Sequence, residues 1–188
     1  MKANPKTTKL LKLMAKNNAC GEATDWIIEN KHLSLTKLWQ TCPQGDWMLW
    51  LAAVVKVEHK LLVLSACDCA ERALRFVPKG EDRPRQAIDV TRAWCRGKAT
   101  LEQVQWAAWA AESAAWAAAE SAESAESAAE SAAWAAAWAA KAARSPREAA
   151  WAAESAKRGA ARSAEHKACA DVVRKRISAS KMIKACKF

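Results

Sequence analysis

Trp106–Ala140 reads WAAWAAESAAWAAAESAESAESAAESAAWAAAWAA. It uses only Ala, Trp, Glu and Ser, and Ala is the strongest helix former of all. Thr100 stands just before it, with Gln103 three residues on, the pattern of a capping box. No Gly or Pro interrupts the chain from there until Pro146. These features predict one helix of about 44 residues over 101–144. At ~1.5 Å per residue it would be about 66 Å long. That exceeds the width of a compact chain of 188 residues, so it should project, or kink within the Glu-Ser repeat. Ser145-Pro146-Arg147-Glu148 then supplies an N-cap, a Pro at the first helical position and a Glu at the third. A second helix should run from Pro146 to about Ile177, weakened at Gly159. The two together read as a long Ala-rich antiparallel helical hairpin.

A helical wheel of this stretch is unusual. At ~100° per residue, Trp109, Trp116, Trp134 and Trp138 share an arc of about 40°, with Trp106 about 40° further round. Glu112, Glu123 and Glu130 flank that arc and Glu120 falls inside it. The opposite half is almost all Ala, which lets another helix approach closely. Two readings of the Trp row stand side by side. It is core, with indole N–H groups bonded to Glu or Ser, or it is an exposed recognition surface, since Trp dominates interface hot spots. No Leu or Ile heptad supports a coiled coil.

Upstream of Gly97 the composition is ordinary and the helices are short. Pro5 opens one through about Lys16, Gly21 or Thr24 a second through Asn30, and Ser34 caps a third through Gln40. Thr41 to Gly45 is a turn. Asp46 is the expected N-cap of Trp47–Val55, and Asp82 is likewise read as a cap. Further helices cover about Glu58–Phe76 and Arg83–Arg96. No alternating segment suggests a strand. The expectation is an all-α fold: a helical bundle over 1–98, a long hairpin over 99–178 packed on it as one structural unit, and a basic tail over 179–188.

Net charge is +10, unevenly placed. Residues 141–188 hold 13 Lys/Arg against 4 Asp/Glu, while 106–140 hold five Glu and no Lys or Arg. Such polarity is either an electrostatic footprint for an anionic partner or two arms that attract each other with a solvated surplus. The seven Cys (20, 42, 67, 69, 95, 169 and 186) show no metal spacing. Cys67 and Cys69 would point about 200° apart on a helix. They read as buried, reduced thiols of a cytoplasmic protein. The segment Leu10 to Met14, broken by Lys12, is too short for a secretory h-region. No stretch reaches the ~20 apolar residues of a membrane span. His32, His59 and His166 lie far apart, and no Gly-rich phosphate loop is present. No catalytic residue, metal or cofactor is expected.

Three blocks resemble a known family. Cys42-Pro43-Gln44-Gly45-Asp46-Trp47-Met48-Leu49-Trp50 is similar to the C-x-x-G-D-W-x-L-W signature of the immunity-protein family of bacterial polymorphic-toxin loci and phage genomes. Ala66–Leu74 resembles that family's next block. Asp82-Arg83-Pro84-Arg85-Gln86-Ala87-Ile88, followed by Ala93-Trp94 and Gly97, is similar to its R-P-R-x-A-I block, with one residue fewer after Asp. Asp171-Val172-Val173-Arg174 resembles its final helix. The family's Ala-rich repeat often carries Tyr, Asn or Asp where this chain carries Trp, Glu and Ser. The resemblance spans about residues 40–176. It implies a protein that neutralises a toxin or effector by binding it.

The candidate binding residues follow from these blocks and from the Trp row. Asp46, Trp47, Trp50, Arg72, Arg83, Arg85 and Trp94 could form an Arg/Trp pocket for an anion, by stacking and bidentate hydrogen bonding. Alternatively the Arg side chains, Arg92 among them, pair with Asp46, Asp68, Asp82 and Asp89 and only tie helices together. Trp109, Trp116, Trp134 and Trp138 form the second candidate surface. Three functions follow: an inhibitor that occludes a protein target, a phage protein that sequesters a signalling nucleotide, and a nucleic-acid binder using the basic tail. A Trp row on a projecting helix also predicts a homo-oligomer.

Overall fold

The computed structural model describes residues 4–121, 128–158 and 162–187. The described residues form α-helices with no strand, as the composition requires. α1 (Pro5–Lys16), α2 (Gly21–Glu29) and α3 (Leu35–Thr41) precede α4 (Gly45–Val54) and α5 (His59–Ala73). A short 3-10 turn, Leu74–Phe76, leads to α6 (Arg83–Cys95). Then come α7 (Leu101–Ser121), α8 (Ala128–Lys141), α9 (Glu148–Arg158), α10 (Arg162–Arg176) and α11 (Ala179–Cys186).

The capping chemistry is largely local and behaves as expected. Asn4 and Ser34 accept backbone N–H bonds from Lys6 and Lys37. Thr100 and Gln103 cap each other reciprocally, at 2.8 and 3.2 Å. Two expectations are corrected. Asp46 is not an N-cap: α4 begins two residues earlier than expected, at Gly45 after Gln44, and Asp46 lies in the first turn. There its charge suits the positive end of the helix. Asp82 holds the N-cap position of α6 but makes no cap bond. Glu81 accepts the Arg83 N–H instead, at 3.0 Å. Gly97 ends α6 with φ +73°, the left-handed conformation a glycine adopts without a Cβ penalty.

The run 101–144 does not form one projecting rod. α7 and α8 pack against each other, with Trp116 beside Trp134 and Glu112 paired to Lys141. As the α7 number falls the α8 number rises, so the two are antiparallel. The expected kink in the Glu-Ser repeat falls on 122–127, outside the described residues. Burial is the physical reason for the fold-back. On α7, Val104, Ala108, Ala111 and Ala115 are buried, and on α8 every Ala from 132 to 140 is buried. A lone rod would leave this apolar surface in water at a cost of about 25 cal/mol per Å².

α8 is the central helix, surrounded by α5, α6, α7 and α9. Its Ala side chains meet others that are also small, including Ala66, Cys67, Cys69, Ala70 and Ala73 of α5 and Ala149, Ala152 and Ala153 of α9. The expected helix from Pro146 to Ile177 is described as α9 and α10. Gly159, where it was expected to weaken, lies outside the described residues. Larger residues fill the N-terminal side, where Leu10, Met14, Ile27, Leu35 and Leu38 make their own cluster. Residues 179–186 are helical. Ser178 caps α11, whose Met182 and Cys186 are buried, and α11 packs on α3.

Long-range polar contacts join the two halves of the sequence. The Trp39 indole N–H donates to the Ile177 carbonyl at 2.9 Å. Arg174 donates to the carbonyls of Trp39 and Cys42, at 3.3 and 2.8 Å, and pairs with Asp171. It thereby satisfies carbonyls at the C-terminal end of α3 that no helical N–H reaches. Gly45 lies so close to α10 that a Cβ there would come within 2.8 Å of Cys169.

Candidate functional site

The Trp row faces outward. α7 turns its small residues inward, and the helical period then carries Trp106, Trp109 and Trp116 to the opposite side. These three are 54–62% exposed, and Trp151 of α9 is 52% exposed. Trp134 and Trp138 of α8 are half-buried between them. The rings touch in sequence across three helices. Trp116 meets Trp134 edge-on at 5.7 Å, Trp134 stacks with Trp138 at 6.2 Å, and Trp138 meets Trp151 at 6.2 Å. Trp106 and Trp109 form a separate T-shaped pair at 5.0 Å. Edge-to-face and offset contacts at these distances suit the indole quadrupole.

Carboxylates and one ammonium group are interleaved with the rings. The Trp134 indole N–H donates to Glu130 at 3.3 Å. Lys141 pairs with Glu112, and its Nζ stands 4.4 Å from the centre of the Trp138 ring. One cation is thus held between a carboxylate and an indole face. Beside it, Leu101, Val104, Ala108, Trp109, Lys141 and Arg144 line part of a groove of about 230 Å³ between α7 and the α8–α9 turn. The wheel of 101–144 found Trp109, Trp116, Trp134 and Trp138, and the fold brings the last three together, with Trp109 in the separate pair with Trp106. It missed Trp151, which lies on another helix. The available signal was spacing, since Trp138 and Trp151 are nearly equidistant from the turn at 144–145.

The Arg/Trp residues of the family blocks divide among separate networks. Trp47 and Trp50 line an apolar seam among α1, α2, α3, α4 and α11, with Trp47 at 6.4 Å from Trp26. Trp94 packs edge-on to His59 at 5.8 Å, and His59 Nε2 lies 2.6 Å from the Ala142 carbonyl. Arg72 is bidentate to the buried Glu165, at 2.5 and 3.2 Å, and Arg75 joins them at 3.1 Å. Arg83 is held by Glu81 and also reaches Ser113 at 3.3 Å. Arg85 is exposed, and its charge helps lower the pKa of Glu71.

A second charged network centres on Asp68. Arg92 of α6 and Arg176 of α10 both donate to it, and Arg92 also donates to Glu71 at 2.6 Å. The Arg92 hydrogen bond holds the Glu71 carboxyl below its usual range, and the same contact raises Arg92. Arg72, Arg92, Lys175 and Arg176 line a shallow dish of about 470 Å³ here. Of the carboxylates the sequence suggested, Asp68 is the one these contacts use, with Glu71, Glu81 and Glu165 supplying the rest.

Six of the seven Cys are buried and Cys20 is exposed. Burial raises the Cys42 thiol to about 11 and pushes Cys67 higher still. Cys69 is raised by its hydrogen bond with Cys169 and by burial. A thiol in that state is a poor nucleophile at neutral pH. Among the described residues no group of three or more His, Cys, Asp or Glu could hold a metal ion. Among them, too, no helix is long and apolar enough to cross a membrane.

No curated protein and no solved structure matches the chain. A family match does exist, to the Imm-5 like putative immunity proteins, over residues 52–182. It includes the blocks at 66–74 and 82–88 and the whole of α5 to α10, and it begins after the Cys42–Trp50 block. With well over half of its length matched, the chain belongs to the Imm-5 like putative immunity protein family.

Proposed function

We propose that this chain is a non-enzymatic inhibitor that neutralises a toxin or defence effector in the cytoplasm by occluding it, with the Trp face of α7, α8 and α9 as its contact surface. The observation that carries the reading is the exposure of that face. Four Trp side chains more than half exposed are an unusual apolar display for a soluble monomer. Trp is also the residue most enriched at binding hot spots. Family membership supplies the class of target, a protein toxin.

The nucleotide reading has less support. Arg72 and Arg83, proposed for that pocket, are held by Glu165 and Glu81. The groove beside Trp109 and Arg144 offers a stacking ring and a cation, but its ~230 Å³ is below the ~300 Å³ at which ligand pockets begin. Nucleic-acid binding by the C-terminal end is weakened in the same way. Arg174 and Arg176 are bonded to Asp171 and Asp68.

Co-expression with a cognate toxin tests the proposal. Growth should be restored by the wild-type chain and lost with Trp116→Ala, Trp134→Ala and Trp138→Ala combined, provided circular dichroism shows the variant folded. Failure of the wild type to restore growth would overturn the inhibitor reading. Full rescue by the folded triple variant would overturn the surface.

A further inference from the structure

The Trp face carries information about the chemistry of what it meets. Carboxylates stand among its rings: of the described residues, Glu112 lies beside Trp138 through its pairing with Lys141. Glu130 is hydrogen-bonded to Trp134 on this face, and Glu154 follows Trp151 by three residues on α9, the spacing of side-chain neighbours. Among the described residues the face also holds a cation of its own. Lys141 stands over the Trp138 ring while paired with Glu112. An indole face and a carboxylate together attract ammonium and guanidinium groups. The same charges repel a phosphate backbone.

We propose that the partner docks on this face through Lys and Arg side chains, so that the target is a protein with a basic surface, of the kind that grips a nucleic-acid backbone. The inference rests on the inhibitor reading and adds the partner's chemistry. Partner guanidinium groups would stack on Trp109, Trp116 and Trp151 and meet Glu130 and Glu154, as Lys141 meets Trp138 and Glu112. Such an inhibitor occupies the surface by which the target holds its anionic substrate.

The probe is a dye-labelled octa-arginine peptide, with an octa-glutamate peptide as control, followed by fluorescence anisotropy at low salt. The full chain should bind octa-arginine and not octa-glutamate, with affinity falling as salt rises. The pair Glu130→Gln and Glu154→Gln should weaken binding about five-fold, and Trp116→Ala with Trp151→Ala by a similar factor. Lack of octa-arginine binding overturns the proposal, as does undiminished binding by both folded variants. Sedimentation distinguishes one further occupant. Self-association that Glu130→Gln with Glu154→Gln abolishes would assign the face to the basic end of a second copy and overturn a basic foreign partner. Growth rescue without peptide binding would spare the inhibitor reading and remove only the partner's chemistry. Peptide binding without rescue would do the reverse.

Discussion

The two sides of this molecule are built from side chains of different size. Around α1 to α4 the interior is filled by large groups such as Leu10, Met14, Leu38, Met48 and Leu49. Around α8 it is filled by Ala, with Ala135, Ala136, Ala137 and Ala139 wholly buried. In the first region stability comes from the area each side chain removes from water. In the second it comes from how closely helices approach, because each Ala contributes little area alone. The first should therefore suffer most from truncation, and the second from enlargement.

A matched pair of substitutions tests this most severely. Leu49→Ala should cost about 3–4 kcal/mol, the transfer energy of the lost atoms plus a cavity. Ala136→Leu should cost about 3 kcal/mol, because a close-packed seam must open to admit it. Denaturant titration checks both. If Ala136→Leu leaves the midpoint unchanged, the α8 interface is loosely packed and the contrast fails.

Gly45 sharpens the comparison, since it brings a close-approach contact to the edge of the large-residue side. Its added Cβ would meet Cys169 at 2.8 Å. Helix propensity alone favours Gly45→Ala by about 1 kcal/mol, and overpacking opposes it by about 1–3 kcal/mol. The expected net is a loss of about 1 kcal/mol, again read from the denaturation midpoint. A gain of stability would mean that α10 moves away from α4 freely.

Much of the fold was legible because its signals are local. The Thr100–Gln103 box, the Ser34 cap and the stop at Gly97 depend on neighbours within a few residues. For 101–144 the sequence left a projecting rod and a kink in the Glu-Ser repeat both open, since an Ala-rich run has equal helix propensity as a rod or as two packed segments. Only tertiary burial of its Ala side chains decides. The candidate site was legible in part for the same reason. Wheel geometry found four members of the Trp face, while Trp151 joins only through the packing of α9 on α8. Arg72 is engaged by Glu165, 93 residues away, which no spacing rule reaches, whereas Arg83 is held by Glu81 two residues before it.

Charge distinguishes the regions more gently. Glu71, whose pKa is lowered chiefly by its hydrogen bond to Arg92, contributes stability above its ordinary value of 4.5. That contribution is lost as pH falls through the lower folded-state value. The denaturation midpoint should fall as pH drops below about 4.5, and Glu71→Gln should flatten part of that slope. An identical slope in the variant would show that Arg92 holds α5 and α6 together through Asp68 alone.

The smallest effect on stability is expected where function should suffer most. Trp116 is 62% exposed, and its ring contacts Trp134 only by an edge. Trp116→Ala removes one exposed aromatic contact, so its cost should be under about 1 kcal/mol. A residue of the buried Ala seam cannot show this separation, because any change there acts through the fold. If Trp116→Ala shifts the midpoint little and yet abolishes rescue in the co-expression assay, the Trp face serves binding and not packing. If it unfolds the protein instead, the aromatic ladder across α7, α8 and α9 belongs to the core, and the contact surface must be sought elsewhere.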